Sequence, residues 1–543
     1  VALGILEESD LSSSYIAAVL DTNEIKKLNE YPEVEIEGYK EGRLLQTGSL
    51  SYEEEKTYSL RIWMDESVTP EDVEAMNKAL HSKIVITASI NKDQIIKEEY
   101  KETILNGADP IIKDELIPVT IDSDGTVKKA DIGSEWYSYE KKNWANAIIL
   151  KDETEDYLAG EVIPEDAIES YFVWIPKYRY QLWDLGQYNS LTTIDESKVH
   201  KIPIIFGDYN TSDSKENECT TPMESGETGN CQVGDYMTHP AFLSIPSTGF
   251  WVGKFETGTI LTSDYNVRNG EAIQIKPNVS SWRNIQVANA FYTTYDYKRN
   301  LDSHMMKNTE WGAVAYLQHS KYGSATSVRI NNNSSYITGY QANNEPTCGW
   351  TNTNEECNKQ CNDDSCNIAY PNSVLASTTG NISGIYDMSG GSHEYVMGVI
   401  LDQNNKPMSG RNSKKNSGFN GPFGCPTCDN DTSGLTELTN GYDFPDSKYF
   451  DVYFYNDSYG NYEKRILGDA TAEMGPFSIQ TFLTNSNQIG SWYNDVSWFA
   501  WNTHPWITRG FSYTGGLNAG LFAFNYYYGD AIYNTFRLIL SPV

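Results

Sequence analysis

The chain has 543 residues, enough for two to four domains with sizeable cores. Its 41 Lys and Arg against 74 Asp and Glu give a net charge of −33, which disfavours nucleic acid and anionic membrane surfaces as partners. A mean hydropathy of −0.52, with no apolar run near the roughly 18 residues of a membrane span, argues against direct membrane insertion, and 13% aromatic content excludes a disordered acidic polymer.

The first residue is Val1 rather than Met, which reads as a processed precursor whose leader is already removed. Residues 1–170 hold 38 acidic against 17 basic residues, and charge thins after that point. A boundary is therefore expected near 170. Three regions follow: an acidic β-sandwich-like module over 1–97, a linker with a small β-rich unit over 98–170, and one long domain over 171–543.

In the first module, Tyr58, Leu60, Ile62 and Met64 share one parity, and Ile84, Ile86 and Ala88 repeat it. That alternation predicts an antiparallel pair across residues 56–90. Between them, Ser67 to Asp72 predicts the N-cap and first turn of a short helix ending near Leu80. The glutamates Glu53–Glu55 read as a solvated turn rather than a metal site. The stretch "TYSLRIWMDE…KIVITA" resembles β-sandwich modules of secreted and surface proteins of Gram-positive bacteria. Residues 91–106 predict a charged helical linker, and Asp122-Ser-Asp-Gly125 predicts a turn. Trp136, Tyr137, Tyr139 and Trp144 could form a sugar platform, but a small Trp-stapled core is favoured.

From Tyr171 onward the chain is rich in Gly, Asn, Ser and aromatics, with helical signal only over 285–297 and 307–319. The eight cysteines (Cys219, Cys231, Cys348, Cys357, Cys361, Cys366, Cys425 and Cys428) cluster in loop-like sequence, which favours disulfides in an oxidising compartment over a zinc site at Cys425 and Cys428. Residues 429–434 match the first half of a calcium loop, but position twelve is Asn440 in place of a bidentate Glu, so an Asx-rich turn is preferred.

Five segments in order carry a resemblance. They are Tyr171-Phe-Val-Trp-Ile-Pro176; His239-Pro-Ala-Phe242 with Phe250-Trp-Val-Gly-Lys-Phe-Glu256; Asn308-Thr-Glu-Trp311; Gly384-Ile-Tyr-Asp-Met-Ser-Gly390 with His393-Glu394; and Arg509-Gly510 through Phe536-Arg537. The series resembles the formylglycine-generating-enzyme-like domain, which implies an α+β, C-type-lectin fold with long loops over about 370 residues, preceded by β-rich N-terminal modules. Enzymes of that family use a pair of catalytic cysteines near the C-terminal end. No cysteine follows Cys428 here, so the thiolate that chemistry needs is missing and no catalytic residue is assigned. His393 beside Glu394 could serve as a base, though a structural role is preferred. No P-loop, HExxH or GxSxG motif occurs, and no cofactor is expected.

Residues 491–543 differ from all that precedes them. Only Asp495, Arg509, Asp530 and Arg537 are charged, and 15 of the 53 residues are aromatic. Tyrosine mixed with Asn, Ser and Gly is the composition of antibody-like binding surfaces. The segment separates into two sets. Pro505, Trp506, Arg509, Gly510, Gly516, Ala519, Gly520, Phe522, Phe524, Gly529, Ala531, Phe536 and Arg537 read as a frame. Between them lie His504, Ile507, Phe511, Tyr513, Thr514, Leu517, Leu521, Asn525, Tyr526, Tyr527, Tyr528, Asp530, Ile532, Tyr533, Asn534, Thr535 and Leu538, and all but Leu538 are taken as ligand-binding candidates. This layout is similar to the variable region of diversity-generating-retroelement proteins, in which mutagenised Asn codons can yield every residue type in the second set. The resemblance implies a rigid frame presenting a hypervariable face.

The expected function is therefore extracellular ligand binding, as an adhesin or receptor-type protein on a cell or virion surface. Its ligand would be a surface protein or a glycan. The alternatives are a subunit of a surface filament, self-assembling through the N-terminal β-rich part, and an enzyme of the formylglycine-generating type, which the missing cysteines disfavour.

Overall fold

The computed structural model describes residues 2–20, 25–36, 39–45, 59–69, 72, 78–85, 103–113, 115–182, 201–207, 223–224, 234–245, 247–343, 367–401, 417–419, 445–456, 461–462, 464–471, 493, 495–500 and 504–543. These fall into two compact units, 1–98 and 99–543. The eight cysteines, Glu53–Glu55 and the calcium-like loop at 429–440 lie outside the described residues, as do half of the helix expected from Ser67 to Leu80 and most of the 91–106 linker.

The first unit is built on two three-stranded antiparallel sheets. In one, Ala2–Ile5 lies between Glu41–Leu44 and Ser82–Val85; in the other, Ile16–Leu20 lies between Lys26–Lys27 and Leu60–Met64. The two strands expected to pair with each other, around 60–64 and 82–85, instead pair with Ile16–Leu20 and Ala2–Ile5. The reason is burial. Ile16–Leu20 is apolar along its whole length and buried throughout, so it needs a partner on each side. Leu3, Ile5, Ile16, Ala18 and Leu20 then close one core across both sheets.

In the second unit the main sheet has eight strands. In chain order they are β1 (Ile117–Ile121), β2 (Val127–Lys129), β3 (Asn146–Leu150), β4 (Val162–Ile163), β5 (Ile168–Pro176), β6 (Gly249–Gly253), β7 (His304–Met305) and, near the C-terminus, β14 (Leu538–Leu540). Their spatial order is β4-β2-β1-β3-β5-β6-β14-β7. The boundary expected near 170 thus falls inside β5, which pairs with β3 on one side and β6 on the other. Residues 117–163 belong to the long domain. The change of charge near 170 therefore does not mark a border between the two compact units.

Asp122 and Gly125 do turn β1 into β2, with the Gly125 amide donating to Asp122 O at 2.9 Å. Trp136, Tyr137, Tyr139 and Trp144 are buried, and Trp144 Nε1 donates to Tyr322 O at 2.8 Å, so they form core rather than a sugar platform.

A second sheet carries the C-terminal segment. Its strands are β8 (Glu394–Leu401), β9 (Asp451–Asn456), β10 (Asn461–Tyr462), β11 (Trp506–Gly510), β12 (Gly520–Tyr527) and β13 (Thr535–Phe536). They run β10-β9-β8-β11-β12, with β13 also paired to β8. Helices α1 (Val287–Tyr297) and α2 (Asn308–Gln318) fall within the two stretches with helical signal.

The expected α+β, C-type-lectin fold is not what forms. Among the described residues these two are the only α-helices, and strand is spread over eight sheets, most of them small. Every strand pairing is antiparallel except those of β8 with β9 and β13. The protein is mostly β. Composition accounts for this: after 171 the chain is dominated by Gly, Asn, Ser and aromatic residues, which favour turns and pleated surfaces over helix.

Candidate functional site

The β11–β12 hairpin decides where the last fifty residues point. Trp506 pairs with Tyr527, Ile507 with Tyr526, Thr508 with Asn525 and Arg509 with Phe524, so neighbouring tyrosines of β12 alternate between the two faces. The outer side of β12 is covered by a parallel bridge between Ser497 and Phe524, and Trp498 N donates to Phe524 O at 2.9 Å. Tyr526 to Tyr528 extend past that bridge.

Arginines hold the frame from inside. Arg537 is fully buried and donates to both carboxylate oxygens of Glu394 at 2.9 and 2.5 Å, to Gly253 O at 2.8 Å and to Tyr386 O at 3.1 Å. One guanidinium thereby ties both sheets together, since Gly253 ends β6 and Glu394 opens β8. Arg509 reaches Asn308 Oδ1 and the carbonyls of Asp469 and Ala470. On α2, Trp311 Nε1 donates to Leu521 O at 2.7 Å, fixing β12 against the helix. Trp506, Phe522, Phe524 and Phe536 are also fully buried. Gly529, at φ +88°, has room for no side chain, because a Cβ there would lie 2.5 Å from Trp506 Cδ1.

Seven of the candidate residues gather at one place. His504, Asn525, Tyr526, Tyr527, Tyr528, Asp530 and Ile532 line an open cleft of about 330 Å³, with Trp498 as a further wall. The His504 ring lies 3.9 Å from the Tyr528 ring and 4.9 Å from that of Tyr526, and Trp498 lies 6.3 Å from Tyr526. Tyr526, Tyr527 and Tyr528 are half-buried, while Tyr533 nearby is 68% exposed. The loop closing the cleft is tied down: Tyr395 OH donates to Asp530 O at 3.2 Å, and Asn284 N donates to Ile532 O at 2.7 Å.

The other candidates lie elsewhere. Tyr513 stands with Tyr336, ring centroids 5.0 Å apart, and Thr514 and Leu517 sit half-buried on the turn between β11 and β12, away from the cleft lining. Several expected to be presented are buried instead. Ile507 is in a strand with partners on both sides. Phe511 takes a left-handed φ of +60°, which turns its ring into a small core with Val496, Ala519 and Ala523. Leu521 lies under α2, Asn534 and Thr535 lead into and open β13 against β8, and Leu538 belongs to β14. A reading by alternating frame and variable positions cannot register these, because their burial comes from segments distant in sequence. Asn525 is 7% exposed, and its Oδ1 accepts from Tyr526 N at 2.8 Å.

Trp498 was missed, although the aromatic cluster Trp498-Phe-Ala-Trp501 signals it. His393 forms the floor behind Tyr527, 5.2 Å from that ring and 4.6 Å from Phe511. Burial pushes its imidazole down to about 3, so it stays neutral at pH 7. Burial likewise holds His504 down to about 4 and pushes Tyr527 up to about 12, leaving Asp530, itself raised by burial, as the one acid lining the cleft. The cleft is thus an almost uncharged aromatic surface on a strongly acidic chain. Such a surface can stack on flat or apolar groups and offers phenols, imidazole and amide for hydrogen bonds. Among the described residues no group of three or more His, Cys, Asp or Glu could hold a metal ion, and no helix is long and apolar enough to cross a membrane.

No protein-family model matches the chain, and no curated protein is recognisably similar to it.

Proposed function

We propose that the chain is a non-enzymatic binding protein that takes a surface protein or glycan of another cell through the Tyr526–Tyr528 cleft. The observation that carries this is the gathering of His504, Asn525, the three tyrosines, Asp530 and Ile532 around one open cleft, while the frame residues between them, Gly516 and Ala531 excepted, are buried. Rigid aromatic side chains give large contact area at low entropic cost, and anchors of this kind dominate interface energies. The division into a packed frame and a lined cleft also supports the likeness to variable proteins of diversity-generating retroelements. A near-copy of the 3′ coding end beside a reverse-transcriptase gene is the genomic outcome that this likeness requires.

The test is binding of the labelled full chain to an array of carboxylate-free glycans and to sialidase-treated cells. The wild type is expected to bind a defined subset, and Tyr526→Ala/Tyr528→Ala to lose that binding with its thermal midpoint nearly unchanged. Retention of binding by the double variant overturns the assignment.

A further inference from the structure

A second recess is linked to the cleft through Asn284, which lines it and whose backbone reaches Ile532. It is an open groove of about 820 Å³ whose lining includes Thr259, Thr262, Tyr265, Gln274, Ser280 and Arg283. The loop bearing Arg283 is pinned from within. Trp282 is fully buried, its indole N–H donates to Tyr265 O at 2.8 Å, and its backbone N–H donates to Thr257 O at 2.7 Å. Asn284, at φ +62°, donates its N–H to Ile532 O at 2.7 Å. Between these fixed neighbours, Arg283 lines the groove.

Its guanidinium carbon lies 3.7 Å from the centre of the Tyr336 ring, stacked on the phenol face. Among the described residues it forms no ion pair, and its buried Nε has no hydrogen-bond partner. That is unusual in a chain of net charge −33, where Arg268, Arg299 and Arg537 each hold a carboxylate. Ser281, on the groove wall, donates its hydroxyl to Glu256, which also accepts from Ser392 N and is pushed up strongly by burial. A stacked guanidinium with its donors unspent is pre-organised for a planar oxyanion taken in bidentate fashion.

We propose that this groove binds a carboxylate-bearing saccharide, with Arg283 on the carboxylate and Tyr265 and the short hydroxyl and amide side chains on the sugar. A polyanionic peptide would meet the long-range repulsion of the whole chain, whereas one carboxylate on an otherwise neutral sugar meets little of it. The proposal does not depend on the Tyr526–Tyr528 cleft, since none of the groove residues used here lines that cleft.

The experiment is saturation-transfer NMR on the full chain with four probes: 3′-sialyllactose against lactose, and glucuronic acid against glucose. The two acids distinguish a sialic from a uronic source. At least one acid should bind about tenfold or more tightly than its neutral counterpart, as a charge-assisted pair implies. Arg283→Ala should abolish that preference, Arg283→Lys should reduce it while keeping the charge, and both should keep the wild-type thermal midpoint. Tyr526→Ala/Tyr528→Ala should bind the acid as the wild type does. Equal binding of acid and neutral sugar, no binding of either acid, or acid binding that survives Arg283→Ala overturns the proposal, and a glutamate-rich peptide competing as well as the sugar acid overturns the saccharide assignment.

Discussion

Two parts of the C-terminal segment have nearly the same aromatic composition and opposite roles. In the frame, Trp506, Phe522, Phe524 and Phe536 are fully buried around Arg509 and Arg537; along the cleft, Tyr526 to Tyr528 are half-exposed and Tyr533 more so. What separates them is hydrogen-bonding position rather than hydropathy. The frame residues sit where segments from 253, 308, 386, 394 and 469 converge on the guanidinium groups, while the cleft residues sit at the end of β12, past the bridge at Phe524. Aromatic content therefore says little by itself about whether a residue stabilises or recognises.

The sharpest way to break this comparison is to remove a frame anchor. Arg537→Ala leaves Glu394 buried without its partner and should cost about 3–5 kcal/mol, as loss of one member of a buried ion pair does. Trp506→Ala should cost a similar amount, about 3–5 kcal/mol, through the cavity it leaves. Urea denaturation measures both, and a loss under about 1 kcal/mol would dissolve the distinction between frame and cleft. For Tyr528→Ala the same measurement should show a change of no more than about 1 kcal/mol.

A smaller effect comes from the buried imidazoles. His239 and His393 are pushed down to about 3 and His504 to about 4, in each case by burial. Unfolding exposes them, and the unfolded chain takes up their protons below about pH 6.5. The unfolded state then binds more protons, so the stability these groups contribute is present above about pH 6.5 and lost as pH falls toward about 4. Asp451, raised to about 6, and Glu394, raised to about 7 by burial that outweighs its Arg537 pair, act in the opposite sense. Their native carboxyls keep protons that the unfolded chain has released, so their contribution is present at low pH and declines as pH rises through 6 to 7. The difference between wild type and His393→Phe isolates one imidazole. Between pH 6.5 and 4 the variant's stability should fall less steeply, by about one proton's worth of slope. Parallel profiles would show that His393 is not held neutral.

How far the sequence could be read depended on the distance between partners. Local signals held: the helical periods that became α1 and α2, the Asp122–Gly125 turn, and the glycines and aromatics of the frame. Long-range pairing did not come through. Leu60–Met64 alternates as if for its neighbour in sequence, yet its partner is Ile16–Leu20, and β5 belongs with both β3 and β6 across the expected boundary. The α+β expectation failed because motif order carries no information on how much strand the intervening loops form. At the cleft, Asn525, Ile532 and the tyrosines were legible from composition. Phe511 was not, since its outward place in the sequence is reversed by a left-handed backbone. The Arg283–Tyr336 stack joins residues 53 positions apart, and neither residue stands out alone.

One segment divides into a buried frame and a contacted cleft, and hydroxyl-radical footprinting read by mass spectrometry separates the two. In the free chain, oxidation should concentrate at Tyr526, Tyr528 and Tyr533 and spare Trp506, Phe522 and Phe524. On cells or array glycans that bind the wild type, Tyr526 and Tyr528 should become protected. Oxidation spread evenly over both sets, or protection that appears elsewhere while these tyrosines stay labelled, would show that the segment is not divided in this way.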